Sequence, residues 1–394
     1  MAVPPWNARR KSYSPADRRA PAVSGAPRPL RPKRYCWGGC AGESNPGAIL
    51  SGQRSGTPQQ RRLHCLRVLP SPTLPTPVRR AGSLGTATAT LWIKNDGLAH
   101  PTYGGNKVRK VVRILDEVRA RGTRRILTFG AAGSHHVLTT ALFGRAAGLS
   151  VAAVVLPQPA SLHAEQTLRA AIAQGLETFP ARSRRELPIA IARAMRFNDA
   201  VVAPGGSTAT GTSSYVDAVG ELALQIAAGD LPAPDVIVVP FGSGGTAAGI
   251  LAGVLRHALP SRVVAVSVTH NPLGRAQILA MAALAARKAG VRASPSSLWR
   301  RLVVDARRVG AGYGHATPAS REAQSIAEGE LELVLDTTYT AKAFAGALEI
   351  VHRASAAGAQ HVLYWHTLSA APLEPLLERA PELAPELQAL FRRG

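Results

Sequence analysis

Cysteine is scarce in this chain of 394 residues, and its three cysteines, Cys36, Cys40 and Cys65, all lie near the start. The remaining residues therefore need neither disulfide bonds nor thiol chemistry, which fits a reducing cytoplasm. The three thiols and His64 lack a second paired motif, so we predict no metal site. Long apolar runs are also absent. Because no stretch of about 18 apolar residues occurs, we expect no transmembrane helix and no membrane partner.

Acidic residues are nearly absent from residues 1–85, which carry 15 lysines and arginines against Asp17 and Glu43. That surplus of 13 is more than half of the formal net charge of +23. The segment is rich in proline, glycine, serine and arginine, and such a composition buries too little apolar surface to offset chain entropy. We predict that residues 1–67 form a disordered basic extension. A nucleic-acid-binding arm and a start codon assigned too far upstream are the alternatives left open.

Short apolar runs alternate with helical patterns from Leu91 onward, without an internal repeat. Strands connected by crossover helices are typical of parallel sheets covered by helices on both faces. Ligands bind such sheets beyond the carboxyl ends of their strands. The predicted strands are Leu91–Lys94, Arg125–Phe129, Val151–Leu156, Glu177–Phe179, Ala200–Val202, Val236–Pro240, Val263–Val268 and Val362–Trp365.

Lys107 follows two glycines and an asparagine in the segment Tyr103-Gly-Gly-Asn-Lys-Val-Arg-Lys110. Apolar residues recur with helical spacing over 108–120, which predicts a helix with Lys107 in its first turn. The glycines allow a ligand to approach the backbone, and NH groups at a helix start favour an anionic partner. A lysine at such a point can attack a carbonyl and form a Schiff base. The simpler alternative is a solvated lysine in a basic helix start.

A glycine-rich loop follows the predicted strand Val236–Pro240, where the sequence reads Phe-Gly242-Ser243-Gly244-Gly245-Thr246. Its backbone NH groups, two hydroxyls and the helix start after it suit one phosphate group. The loop lacks the lysine of a P-loop, and it lacks the third glycine and acidic residue of a dinucleotide fingerprint. We therefore predict a single phosphate at 242–246, with a plain strand-to-helix turn as the alternative.

Three further segments carry polar groups beside strand ends or turns. Ser134 takes a helix N-cap position, where its hydroxyl and the next NH groups could hold a carboxylate or simply cap the helix. Tyr313 and Tyr339 are candidate proton carriers, with packing as the common alternative. Thr367 follows the predicted strand Val362–Trp365, where a hydroxyl could meet a ring nitrogen.

Together these segments resemble the fold-type II pyridoxal-phosphate (PLP) enzymes, the tryptophan synthase β-subunit superfamily. Within it, the chain looks most like the D-cysteine desulfhydrase and 1-aminocyclopropane-1-carboxylate (ACC) deaminase family, from about Leu74 to about Leu368. The resemblance implies an α/β fold of two three-layer α/β/α domains with mainly parallel sheets and PLP at the cleft between them. It implies a large PLP-binding domain of residues 68–112 and 206–394, with a small domain, 113–205, inserted. It also implies a homodimer.

The resemblance assigns roles to the candidate site residues. Lys107 would form the Schiff base with PLP and, once freed, act as a base at the substrate Cα. Asn106 precedes it as in the family, and Gly242, Ser243, Gly244, Gly245 and Thr246 would hold the phosphate. Ser134 would lie near the substrate carboxylate, Tyr313 and Tyr339 near the substrate, and Thr367 at the pyridine nitrogen.

Two positions depart from the pattern of this family. His135 stands where the family has an asparagine that hydrogen-bonds the phenolic oxygen of PLP, and a histidine could still donate there. Leu368-Ser369 replaces two glycines after Thr367, so we expect close backbone approach to be lost at this point. Both changes affect the expected substrate more than the expected cofactor.

We therefore expect a PLP-dependent lyase or deaminase for a small amino acid, most like D-cysteine desulfhydrase, which yields pyruvate, sulfide and ammonia. ACC deaminase is the alternative. It ranks second because the chain has Thr340 at a position where we expect an acidic residue in an ACC deaminase. A nucleotide-binding oxidoreductase using the loop at 242–246 and a non-catalytic PLP-binding protein are further alternatives. Nucleic acid is expected as a partner only through the basic extension.

Overall fold

The computed structural model describes residues 71–354 and 360–392. The predicted disordered extension, residues 1–67, and all three cysteines lie outside the described residues. The strands are β1 (Val78–Arg80), β2 (Ala89–Asn95), β3 (Arg125–Ala131), β4 (Ser150–Leu156), β5 (Gln158–Pro159), β6 (Leu176–Pro180), β7 (Ala200–Val202), β8 (Val236–Phe241), β9 (Arg262–Ser267), β10 (Leu302–Asp305), β11 (Gln360–His366) and β12 (Phe391–Arg392).

The α-helices lie mostly between these strands, as a parallel sheet with crossover connections requires. They are α1 (Asn106–Ala120), α2 (His135–Ala146), α3 (Leu162–Ala173), α4 (Leu187–Ala194), α5 (Ala209–Ala227), α6 (Gly245–Arg256), α7 (Gly274–Lys288), α8 (Pro295–Arg301), α9 (Pro318–Leu331), α10 (Thr340–His352), α11 (Glu374–Leu377) and α12 (Pro385–Gln388).

The larger sheet has six strands in the order β1-β2-β11-β8-β9-β10. All neighbours pair in parallel except β1 and β2. Its central strands are apolar on both faces, because alternate residues of β8 belong to two different cores. Val236 and Val238 pack with α9 and α10, whereas Ile237 and Val239 pack with α5, α6 and α7. Helices thus cover both faces of this sheet.

The smaller sheet has four parallel strands in the order β6-β4-β3-β7 and lies within residues 125–202. Residues of its strands also alternate between two cores. Ile126 packs with α1, α2 and α3, and Leu127 packs with α4. β5 and β12 form a separate two-stranded pair. The domain boundaries at residues 112 and 206 stay a prediction.

The eight predicted strands are confirmed, with ends shifted by two residues at most, and so is the α/β fold class with mainly parallel sheets. The short edge strands β1 and β10 and the two-residue strands β5 and β12 were missed. Among the described residues, no helix is both long and apolar enough to cross a membrane. The same residues contain no cluster of three histidine, cysteine or acidic side chains that could hold a metal ion.

A buried carboxylate ties the start of α1 to the larger sheet. The carboxylate of Asp96 accepts hydrogen bonds from Arg109 of α1, Tyr215 of α5 and Trp365 of β11, at 2.9, 2.5 and 2.8 Å. Burial alone would raise the pKa of Asp96, but the adjacent Arg109 guanidinium holds it below its usual range. Because these bonds converge on one side chain, they hold α1, which carries Lys107, against β11.

Candidate active site

A cavity of about 870 Å³ lies at the carboxyl ends of β3, β4, β8 and β11. That volume is typical of a site for a small ligand or cofactor. Of the twelve predicted site residues, all but Gly245 line it: Asn106, Lys107, Ser134, His135, Gly242, Ser243, Gly244, Thr246, Tyr313, Tyr339 and Thr367. Gly245 is the buried first residue of α6. The structure thus brings residues from distant parts of the sequence to one cavity, while their roles stay a prediction.

Lys107 is the second residue of α1, in the first turn as predicted. The turn before it needs glycine, because Gly105 has φ +84° and a Cβ there would lie 2.7 Å from the Thr367 carbonyl oxygen. The Asn106 backbone NH donates to that same oxygen at 3.1 Å. This contact sets the first turn of α1 directly against the end of β11, so that Lys107 and Thr367 line the same cavity.

The Lys107 amine is linked to the glycine loop through Asn106. Lys107 Nζ donates to Asn106 Oδ1 at 3.0 Å, and Asn106 Nδ2 donates to Thr246 Oγ1 at 2.9 Å. Burial lowers the pKa of Lys107 to about 8, although Asp336 acts in the opposite direction. About a tenth of this amine is therefore neutral at pH 7, far more than for an ordinary lysine, and the neutral form is the nucleophile.

The glycine loop 242–246 connects β8 to α6 and directs the start of that helix toward the cavity. A second lysine lies behind it. A Cβ on Gly245 would lie 2.9 Å from Lys110 Nζ, whose described hydrogen bond is to the Gly205 carbonyl oxygen at 3.2 Å. Burial, with a smaller contribution from the charge of Lys107, lowers the pKa of Lys110 well below its usual range. The loop and Lys110 thus combine backbone NH groups, hydroxyls and an amine that can become positively charged. This is the composition of an anion-binding site.

Ser134 precedes α2 at the predicted N-cap, but its hydroxyl makes no capping hydrogen bond to that helix. The hydroxyl therefore remains for a ligand in the cavity. The neighbouring His136 also lines the cavity, but its ring is hydrogen-bonded within the protein. Its Nε2 pairs with Thr128 Oγ1 at 2.8 Å, and burial lowers its pKa to about 3.

His135 makes hydrogen bonds within the protein through both ring nitrogens. Its Nδ1 lies 2.5 Å from Tyr103 Oη, and its Nε2 lies 3.3 Å from His163 Nε2. Burial, the proximity of His163 and a smaller effect of Lys107 lower its pKa to about 4, with Asp336 opposing them. A role for His135 as donor to a cofactor would require one of these bonds to break.

Leu368 and Ser369 do not prevent close packing of backbone at this point, contrary to our expectation. A Cβ on Gly105 would lie 3.0 Å from the Ser369 nitrogen. The Ser369 hydroxyl accepts hydrogen bonds from the backbone NH groups of Gly104 and Ala371 at 2.9 and 3.1 Å. The two backbone segments still approach each other closely, because the glycines that permit this contact, Gly104 and Gly105, precede α1.

Tyr313 and Tyr339 meet edge to face, with ring centroids 5.6 Å apart, and Lys107 Nζ lies 5.9 Å from the Tyr339 ring centroid. Burial raises the pKa of both phenols, so each remains protonated near neutral pH. The carboxylate of Asp336 accepts from the Tyr339 backbone NH at 2.6 Å and from Thr340 Oγ1 at 2.6 Å. It therefore fixes the loop that carries Tyr339.

Four residues around the cavity were missed as site residues. Lys110 follows Lys107 by three positions, so helical periodicity alone could have placed it on a neighbouring face. Asp336 precedes a Thr-Thr-Tyr-Thr run, a pattern typical of a side-chain-capped turn. Tyr103 and His163 carried no local signal, because their contacts with His135 depend on tertiary packing, of the segment before α1 for Tyr103 and of α3 for His163.

Comparison with known proteins gives consistent results. Residues 71–367 match the family described as "Pyridoxal-phosphate dependent enzyme". The chain is 32% identical to Nocardicin C-9' epimerase from Nocardia uniformis subsp. tsuyamanensis, over 75% of this chain and 91% of that protein. It is 28% identical to D-cysteine desulfhydrase from Salmonella choleraesuis (strain SC-B67), over 70% of this chain and 86% of that protein.

The crystal structure of an ACC deaminase homologue superposes with a TM-score of 0.64 and 25% identity, covering 82% of this chain and all of the other. This agrees with the two mainly parallel sheets of the fold. The match over residues 71–367 extends from before β1 through β11 and includes Lys107, the glycine loop and Thr367. The chain therefore belongs to the pyridoxal-phosphate dependent enzyme family.

Proposed function

We propose that this PLP-dependent enzyme is a lyase or deaminase for a small amino acid, most like D-cysteine desulfhydrase. The observation that carries the proposal is the setting of Lys107. Its amine lines the cavity with a pKa lowered to about 8, one residue from Asn106, which contacts the glycine loop. Tyr313 and Tyr339, two phenols that remain protonated, lie on the same cavity.

The cavity residues fit PLP. The glycine loop offers the start of α6 to a phosphate. Lys110 of α1, a buried lysine with one described hydrogen bond, lies behind this loop. At the other side, the buried Thr367 offers a hydroxyl rather than a carboxylate to a pyridine nitrogen. Lys107 offers an amine to an aldehyde carbon. When bound, PLP would supply the electron sink that stabilises negative charge at the substrate Cα.

The protein would orient the substrate and move its protons. Ser134 and the NH groups that begin α2 would bind the substrate carboxylate, which a helix N-terminus favours. Lys107 Nζ, once free, would take the proton from Cα. The hydroxyl of Tyr313 or Tyr339 would donate a proton to the departing sulfur, because burial keeps each phenol protonated near pH 7.

The test is an absorbance scan of the purified protein followed by measurement of pyruvate released from D-cysteine. We expect a visible absorbance band and pyruvate formation, both lost in Lys107→Ala and both retained in the surface variant Lys288→Ala. Absence of the band in the wild-type protein would refute the assignment of Lys107. A band without pyruvate would exclude D-cysteine and direct the assay to ACC.

Epimerisation at Cα is the second candidate function. Two pairs of proton-carrying side chains line the cavity, Lys107 with Tyr339 and Tyr103 with His135. Exchange of configuration requires a proton to leave and return at Cα, and two groups can act from two directions. A relative at 32% identity is named as an epimerase. Chiral chromatography after incubation with one enantiomer of alanine tests it, and retention of a single enantiomer would exclude it for that substrate.

We further propose a homodimer in the cytoplasm, with the domain boundaries given above. A concave surface that includes the exposed Leu74 and Leu224 supports an association between copies, because apolar side chains at such a surface favour burial. The mass measured by sedimentation velocity distinguishes a monomer from a dimer.

A further inference from the structure

Three side chains form a line of hydrogen bonds from the cavity to the protein surface. Tyr103 is 2% exposed and lines the cavity, and its Oη lies 2.5 Å from His135 Nδ1. His135 Nε2 lies 3.3 Å from Nε2 of His163, an exposed residue that does not line the cavity. The line therefore begins at a buried phenol and ends in solvent.

The fold holds these residues at their positions. His135 is the first residue of α2, and Thr139 Oγ1 donates to its carbonyl oxygen at 2.6 Å. His163 lies in the first turn of α3, which packs closely on the loop before α2, since a Cβ on Gly133 would lie 2.5 Å from Ala164 Cβ. The two imidazoles therefore meet through helix packing, with ring centroids 5.1 Å apart.

The protonation states of the three groups suit proton transfer along the line. Burial lowers the pKa of His135 to about 4 and also lowers that of His163, while Asp336 acts in the opposite direction on both. Lys107 is the other charged group that acts on His135. Burial raises the pKa of Tyr103, so its hydroxyl keeps its proton. Three neutral groups, each able to donate and accept, are thus in contact at pH 7.

We propose that Tyr103, His135 and His163 form a proton relay that connects the reacting end of the cavity with solvent. The inference rests on the proposed function for the identity of the reaction, and on the hydrogen bonds for the path. It assigns His135 a task other than donation to the cofactor, because both of its ring nitrogens are used by the path. An asparagine at this position could not accept and release a proton in this way.

The proton balance follows from the tautomers. If Tyr103 donates to His135 Nδ1, the proton of His135 lies on Nε2 and points to His163, whose own proton lies on Nδ1. A proton that leaves the cavity for Tyr103 Oη displaces one proton along each bond, and His163 Nδ1 releases one to water. Tyr103 ends neutral with one proton on its oxygen, and each histidine ends neutral with its proton on its other ring nitrogen. A proton returning from water restores the first arrangement, so the relay suits a reaction that removes one proton and returns one.

The first measurement examines the path itself in the resting holoenzyme. With ¹⁵N-labelled histidine, we expect a nitrogen–nitrogen scalar coupling between His135 and His163 across their hydrogen bond. We also expect an unprotonated Nδ1 in His135 that becomes less shielded in Tyr103→Phe. The coupling should vanish in His163→Ala and persist in His352→Ala, which removes an exposed histidine at the end of α10. Its absence in the wild type would overturn the proposal.

The second measurement follows incorporation of deuterium from D₂O into Cα of D-alanine or L-alanine by NMR. We expect His163→Ala to slow exchange about 10²-fold, the low end of the effect of positioned proton transfer. Added imidazole should restore the exchange rate, and the restored rate should depend on the pKa of the imidazole derivative used. A purely structural role of His163 would not produce that dependence. Tyr103→Phe should be slowed without rescue, because the aromatic ring still occupies its place.

The outcomes separate the relay from the proposed function. Exchange at the wild-type rate in His163→Ala would overturn the relay and leave the proposed function intact. Wild-type protein that exchanges neither enantiomer would count against the proposed function, and the nitrogen coupling would then decide whether the path exists.

Discussion

Lys110→Met should make the cofactor-free protein more stable and the holoenzyme harder to form. Lys110 is 1% exposed, and its amine has one described hydrogen bond, to a carbonyl oxygen at 3.2 Å. No ion pair of Lys110 is found among the described residues. One described bond leaves the other donors of this amine without a described partner, and an unsatisfied polar group in the interior destabilises a fold by about 1–3 kcal/mol. Methionine has a similar volume and would remove that penalty.

The opposite effect is expected for cofactor affinity. Two unit charges separated by about 8 Å interact by about 2 kcal/mol at an effective dielectric constant of 20, and we use this value as the scale for the attraction between Lys110 and each charge of a phosphate at the glycine loop. A phosphate dianion would double this attraction. Part of that free energy is used to protonate Lys110, whose pKa in the empty site lies well below its usual value. We therefore expect a net loss of about 2 kcal/mol on substitution, or about 30-fold in the Kd for PLP.

Urea unfolding of the cofactor-free protein and equilibrium titration with PLP measure the two effects. Lys342→Met is the matched control, since Lys342 is another fully buried lysine, whose amine donates to the carbonyl oxygens of Val309 and Gly312 at 2.8 and 3.2 Å. Because that variant leaves two acceptors unpaired, its stability should fall. Lower stability of Lys110→Met together with unchanged PLP affinity would refute the reasoning.

Two further predictions concern α1 and α6. The visible band should form about tenfold faster at pH 9 than at pH 7 when PLP is added to the cofactor-free protein, because the neutral fraction of an amine with a pKa of about 8 rises by that factor; stopped-flow rates independent of pH would contradict it. Gly249→Val should lower the free energy of unfolding by about 3 kcal/mol, because a Cβ there would lie 2.3 Å from the Thr212 carbonyl oxygen and 2.4 Å from Tyr215 Cβ. Thermal denaturation checks this against Gly329→Ala, which has open space around it and should be stabilised by about 0.5–1 kcal/mol.

The central strands could be predicted from sequence because they are apolar on both faces and short. Ile237 and Val239 face one core and Val236 and Val238 the other, which leaves a continuous apolar run in the sequence. The edge strand β1 lacks this signal. β1 has the sequence Val-Arg-Arg, and both of its arginines are exposed. Its pairing with β2 depends on backbone hydrogen bonds, which the side-chain pattern does not predict.

The features of the site also form two groups, those that the local sequence predicts and those that only tertiary packing creates. Lys107, Ser134 and the glycine loop could be predicted because each lies where a strand or glycine turn passes into a helix, and that junction is visible in the sequence. The contacts of His135 could not. Its partner His163 belongs to another helix 28 positions away, and only the packing of α3 near Gly133 brings the rings together.

The parallel pairing of β2 with β11 has a consequence for the order in which a newly made chain can mature. Residues 89–95 pair with residues 360–366, so β2 has only the short β1 beside it until those later residues have been synthesised. The Thr367 carbonyl oxygen, which accepts the hydrogen bond from the Asn106 NH, directly follows that later strand. Lys107 therefore leaves the ribosome more than 200 residues before the strand that completes its cavity, and we expect a nascent chain to bind its cofactor only after β11 has been made.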